Sequence, residues 1–179
     1  MAKVLYAVTM SLDGFIAGPA GDMQWMTPYL GPNPEVRDLI EQIGSLLVGR
    51  RTFDGDDPNK GRPGEGKAFG GGWDGPQYVV THRPPSKSSA DLYFVDDFAN
   101  ALAQAKAAAG DKYVNVLGAD IARQCLEAGQ LDEVLTCVAP VMLGDGVRLF
   151  DHPGGRTVKL QRLSTTEVPL ATNLWFKVE

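Results

Sequence analysis

Residues 113–139 read YVNVL, then GADIARQCLEAG, then QLDEVLTCVA. The first and last pieces are apolar runs bounded by turn residues, which predicts strands over Tyr113 to Leu117 and Leu131 to Ala139. The middle piece opens after Gly118 and places Ile121, Ala122, Cys125 and Leu126 at helical spacing, so a helix is predicted from Ala119 to Ala128, closed by Gly129. A strand, a helix and a second strand in so few residues cannot form a hairpin. They make a crossover unit, and its two strands must run parallel.

The rest of the chain extends that unit. Val4 to Met10 is a buried first strand that stops at the turn-forming Ser11-Leu12-Asp13-Gly14. Asn33-Pro34 is a cap followed by a first-turn proline, and Val36, Leu39, Ile40 and Ile43 share one face, which predicts a helix from Pro34 to Ile43. Ser45 to Val48 is a second strand running directly into Gly49-Arg50-Arg51-Thr52. Tyr78 to Thr81 and Leu92 to Val95 follow as strands, and Asp96 is read as the cap of an Ala-rich helix that ends before Gly110. Val158, Leu160 and Leu163, then Leu174, Phe176 and Val178, alternate as two closing antiparallel strands. The segment from Gly55 to Gly75, rich in Gly, Pro and charge, is long for a structureless loop and is expected to be mobile, with Trp73 free to close over a ligand.

At 179 residues the chain is long enough to bury one sizeable core, and a single domain over 1–179 is expected. A net charge of −5 argues against nucleic acid or anionic membrane as a partner, so any anion site must be local. The start MAKVLYAVTM has no signal-peptide pattern and no run reaches the length of a membrane span, which implies a cytoplasmic protein. Two cysteines, Cys125 and Cys137, and two histidines, His82 and His152, are too sparse for a metal site, and none is expected.

Several nucleotide motifs are excluded. Gly61 to Ala68 approaches the phosphate-loop pattern, but the Mg²⁺-binding hydroxyl is replaced by Ala68 and no strand precedes it. The one G-x-G-x-x-G spacing, Gly70 to Gly75, follows no predicted strand and opens no helix, and no G-x-S-x-G occurs. What remains are three segments at strand ends, where open α/β sheets hold ligands. Gly49-Arg50-Arg51-Thr52 offers two guanidinium groups at a predicted helix start, a natural seat for phosphate. Leu117-Gly118-Ala119-Asp120 lets a pyrophosphate approach the backbone closely. Thr81-His82-Arg83 can frame an adenine and ribose.

Together with Ser11 to Gly18, Val48 to Phe53, Leu131 to Val134 and Pro140 to Gly146, these segments resemble, in order and spacing, the reductase domain of bacterial riboflavin biosynthesis and its stand-alone relatives. The resemblance implies a dihydrofolate reductase-like three-layer α/β fold. Such a fold has a mixed, mostly parallel central sheet, flanking helices and a C-terminal antiparallel hairpin. It implies an NADPH-dependent reductase of a small heteroaromatic or carbonyl substrate, working as a homodimer. It places Ile16 and Ala17 at the nicotinamide, and Gly49, Arg50, Arg51 and Thr52 at the 2′-phosphate and diphosphate. Thr81, His82 and Arg83 then flank the adenosine, while Leu117, Gly118, Ala119, Asp120 and Ile121 cradle the diphosphate. Catalytic residues are not assigned.

The sequence departs from the family in two places. The glycine turn usually begins with two or more glycines, often joined by a cis peptide, and here it begins with Leu117. Asp120 adds a carboxylate beside the diphosphate, able either to cap the helix or to repel the ligand. Dihydrofolate reductases also carry an acid shortly after the tryptophan of the first loop. Nothing from Trp25 to Pro34 supplies one, so folate reduction is not expected, and Glu35 is assigned to the helix dipole. Trp25, Tyr29, Phe69 and Trp73 are the aromatics available for a stacking pocket. The alternative reading is a nucleotide-binding protein on the same fold that has lost catalysis.

Overall fold

A computed structural model describes residues 1–84 and 90–179. In chain order the elements are β1 (Val4–Ser11), β2 (Phe15–Ala17), α1 (Pro34–Ile40), β3 (Ile43–Gly49), α2 (Arg50–Phe53), β4 (Gln77–Val80) and β5 (Leu92–Val95). They continue with α3 (Phe98–Ala109), β6 (Tyr113–Leu117), α4 (Ala119–Glu127), β7 (Glu133–Ala139), β8 (Val147–Arg148), β9 (Leu160–Val168) and β10 (Ala171–Val178). Eight strands form one sheet in the order β5-β4-β3-β6-β1-β7-β10-β9, and β2 and β8 make a separate two-stranded ribbon.

The crossover unit holds with one addition. Strands β6 and β7 are parallel, but β1 lies between them and pairs in parallel with both. Only β10 runs against its neighbours, antiparallel to β7 on one side and to β9 on the other, which makes the closing hairpin. Alternation along β1 sends Val4 and Tyr6 into a core with α3 and α4, and Leu5 into a second core with Leu39 of α1 and Trp73. Helices therefore cover both faces. Side chains such as Leu5, Leu39, Leu46 and Leu135 are fully buried, each worth roughly 1.5–3 kcal/mol relative to exposure.

Buried polar side chains tie the layers together. At the amino end of β7, Glu133 accepts from Lys3 Nζ (2.9 Å), Tyr113 Oη (3.0 Å) and Trp175 Nε1 (2.8 Å), linking β1, β6 and β10. Burial, and then the Glu133 carboxylate, push the Tyr113 hydroxyl up to about 12. On the α1 face, Asn33 caps the helix and exchanges two 2.9 Å hydrogen bonds with Asn173. Glu35 accepts from Asn173 and from Ser164, both at 2.9 Å. Its carboxylate fastens α1 to the closing hairpin, which corrects its assignment to the helix dipole alone.

Other differences have identifiable causes. Helix α1 ends at Ile40, not Ile43, because the Gln42 amide closes a turn on Leu39 and Ile43 pairs with Tyr113. Ile40 and Ile43 nonetheless meet the same core, so their spacing could not separate helix from strand. The cap of α3 is Asp97, whose carboxylate accepts from the Asn100 amide at 2.7 Å, and not Asp96. Strand β7 begins at Glu133, because Asp132 turns to accept the Val4 amide. Trp73 is no lid: it is buried, and its indole N–H donates to the Ile43 carbonyl at 3.0 Å. The Gly55 to Gly75 segment is tied down at Asp56, which accepts from the Met23 amide and Gln24 Nε2.

Candidate functional site

Strands β3 and β6 are neighbours, yet the chain leaves them in opposite directions. From β3 it continues to β4 on one side, and from β6 it crosses through α4 to β7 on the other. Such divergence opens a crevice at the carboxyl ends of the two strands. Here it is a cleft of about 760 Å³. All four residues from Gly49 to Thr52 line it, with Thr81 and His82 from the end of β4 and Gly118, Asp120 and Ile121 from the end of β6. Arg83, Leu117 and Ala119 flank these stretches without being among the lining residues, and Ile16 and Ala17 lie buried on β2, outside the lining.

Two backbone junctions shape the cleft. Gly118 has φ of +106°, and a Cβ there would stand 2.3 Å from Thr52 Oγ1. Only glycine lets these two strand ends approach so closely. No peptide among the described residues is cis. Helix α4 then starts with no side-chain cap, so its first amides and its positive dipole end are available to an anion. The basic tetrad differs from expectation. Helix α2 is a single turn of four residues, too short to supply much of a dipole, so the anion preference of this side rests on guanidinium groups.

The two arginines are not equivalent. Arg50 is committed: its Nε pairs with Asp54 and its Nη1 donates to the Arg83 carbonyl at 2.8 Å, which fixes the β4 end. Arg51 is exposed and makes no side-chain hydrogen bond or ion pair among the described residues. Asp120 does not cap α4. Its carboxylate lies along the helix, accepting from Arg123 Nη2 at 2.7 Å and Gln124 Nε2 at 2.9 Å. These bonds, Arg123's first, and the positive charge of Arg51 hold Asp120 below the usual carboxylate range. Its negative charge is thus largely offset before any ligand arrives.

A second feature, which the sequence reading missed, adjoins the cleft along β6. The ladder from β1 to β7 runs through seven pairs, up to Ser11 with Ala139, whereas the ladder from β1 to β6 stops after Val4–Val114 and Leu5–Asn115. Beyond it the Ala7 amide donates at 3.2 Å to the side-chain oxygen of Asn115. The two central strands part here, and Ala7 to Met10 are only half-buried although β1 is flanked on both sides. The signal was an asparagine in the otherwise apolar YVNVL. Past the end of β1, Asp13 accepts from Ser11 Oγ (2.6 Å) and from the Leu143 and Gly144 amides (3.1 and 2.7 Å), tying the β1 end to the segment after β7. The Ser11 hydroxyl first, then these amides, hold its carboxyl down to about 2. Of the four aromatics, Trp25 and Tyr29 pack on each other with ring centroids 6.4 Å apart, and none of the four lines the cleft.

Among the described residues, no cluster of three or more potential metal ligands is present, and no helix is long and apolar enough to cross a membrane. Compared with known families, residues 2–172 match the RibD C-terminal domain. The chain belongs to the RibD C-terminal domain family. This RibD C-terminal domain protein is 27% identical over 177 residues to YwjB of Bacillus subtilis strain 168, an uncharacterised protein, with 97% of each chain covered. A protein of Shewanella sp. PV-4 assigned to riboflavin biosynthesis shares its fold with a TM-score of 0.75 at 21% identity, over 100% of this chain and 99% of that one. The dihydrofolate reductase of Enterococcus faecalis, solved with NADP(H), matches with a TM-score of 0.65 at 14% identity over 98% and 96%. The fold is therefore the dihydrofolate reductase-like one.

Proposed function

We propose that this RibD C-terminal domain protein is an NADPH-dependent reductase that passes a hydride to a small heteroaromatic or carbonyl substrate. Family membership supports a reductase of the RibD and dihydrofolate reductase type. The observation that carries the reading is the continuity of two openings along β6: a cleft lined by Arg50 and Arg51 at its carboxyl end, and a parting from β1 beside it. A dinucleotide needs both, one for its phosphates and one for its reacting ring.

In this reading Arg51 faces the 2′-phosphate and Arg50 holds the β4 end in place. Thr52, Gly118 and the first amides of α4 receive the diphosphate, and Thr81, His82 and Arg83 border the adenosine. Ile16 and Ala17, on β2, border the nicotinamide. Bound nicotinamide supplies the hydride. The chain contributes positioning and exclusion of water, through β1 residues Ala7 to Met10 and the loop that Asp13 pins beyond the end of β1. The protein acts as a single domain, as a homodimer in the cytoplasm. Oxidation of NADPH in the presence of pterins, pyrimidinones and quinones tests the reading. Turnover of one of them supports it; tight cofactor binding without turnover of any would favour a silent nucleotide-binding protein.

A further inference from the structure

The side chain of Asn115 is fully buried in the middle of an apolar strand. Its oxygen takes the Ala7 amide, a role that the carbonyl of Val116 would fill if the β1–β6 ladder continued past Leu5–Asn115. Its amide nitrogen, Nδ2, is buried with no partner among the described residues. An orphaned buried donor costs stability, and such groups persist where something else recovers the cost. A leucine or methionine at this position would have filled the core without that penalty and left the ladder free to extend.

We propose that Asn115 is a positioning residue for the ligand in the parting between β1 and β6: its oxygen ends the ladder at Ala7 and holds the strands open, and its free N–H donates to an amide-type carbonyl oxygen of the bound ring. The inference rests on the reading of this opening as the place of hydride transfer. Two rings bring that carbonyl chemistry, the carboxamide of nicotinamide and a lactam-type acceptor ring. Both are flat, as a ring lying between two parted strands must be. Neighbouring Ala7 and Thr9 add to the recognition. Their outward backbone groups face β6, as the Ala7 amide shows, and beyond Leu5 they have no ladder partner there.

The test follows the Asn115 side-chain amide by NMR in the ¹⁵N-labelled full chain, during titration with three probes. These are NADP⁺, 2′-phospho-ADP-ribose, which lacks nicotinamide, and uracil added to the NADP⁺ complex. A downfield shift with NADP⁺ but not with the truncated nucleotide assigns the carboxamide; a shift only when uracil is added assigns the acceptor ring. An amide unmoved by all three, while the nucleotides perturb Thr52 and Gly118, overturns the inference and leaves the cofactor reading standing. Failure of both nucleotides to bind removes the cofactor reading and this inference with it.

Asn115→Leu gives an independent arm. It is expected to bind NADP⁺ about tenfold more weakly, with unchanged affinity for 2′-phospho-ADP-ribose and an unfolding midpoint no lower than that of the parent. A lowered midpoint with unchanged NADP⁺ affinity would show a purely structural asparagine. If the variant does not fold, the titration of the unmodified chain decides the matter.

Discussion

Replacing Gly118 with alanine perturbs the cleft at its narrowest point, and the cost separates into two parts. The backbone part follows from φ of +106° with ψ of 137°, a region essentially closed to residues with a Cβ, and is about 1–3 kcal/mol. The steric part follows from the neighbour. The new Cβ would lie 2.3 Å from Thr52 Oγ1 but 3.4 Å from Thr52 Cβ, the latter an ordinary contact. Thr52→Ala therefore removes the clash and leaves the backbone strain. Chemical denaturation of the four proteins in the cycle should show Gly118→Ala costing more in the Thr52 background than in the Thr52→Ala background, where about 1–3 kcal/mol should remain. NADP⁺ affinity should fall in both Gly118→Ala proteins, since the strand end and the first turn of α4 must shift. A Gly118→Ala protein as stable as its parent, with unchanged nucleotide affinity, would refute the argument that this turn needs glycine.

Three further outcomes follow. Arg51→Ala should weaken NADPH by roughly 10–100-fold, one charge-assisted contact, and NADH much less; Arg50→Ala should weaken both alike, because Arg50 acts through Asp54 and the Arg83 carbonyl. Titrations with the two nucleotides check this. Glu133→Ala leaves the half-buried Tyr113 Oη and Trp175 Nε1 without their shared acceptor and should cost about 1–3 kcal/mol by denaturation, with nucleotide affinity of the folded protein retained. Asp13 titrates lower in the folded chain than in the unfolded one. Its contribution should thus be fully present above the ordinary carboxylate range and be lost as pH falls toward about 2, a loss that Asp13→Asn should abolish when acid unfolding curves are compared.

The sequence revealed most of what depends on periodic or local chemistry. Strands β5 and β6 were found to the residue, and α4 within one residue of its end, because apolar runs there meet sharp stops, aspartates around β5 and glycines after β6 and α4. Gly49 to Thr52, Thr81, His82, Gly118 and Asp120 were singled out from strand-end position and Ile121 by the family resemblance, and the fold gathers them around one cleft. What escaped was tertiary. Nothing local distinguishes Arg50 from Arg51, because Asp54 and the Arg83 carbonyl select between them only in the folded chain. Trp73 in a Gly-rich stretch looked mobile, yet its indole finds the Ile43 carbonyl. Glu35 looked like a helix-start acid, while its partners Ser164 and Asn173 lie on the distant hairpin. The separation of β1 and β6 left one trace, Asn115, whose meaning depends on the neighbouring strand.

The central claim is tested most directly by calorimetric titration of the full chain with NADPH, with NADH in parallel at the same ionic strength. Saturable one-to-one binding of NADPH, with NADH at least about tenfold weaker, is the predicted result. Absence of saturable binding by either nucleotide, or equal affinity for both, would contradict the account.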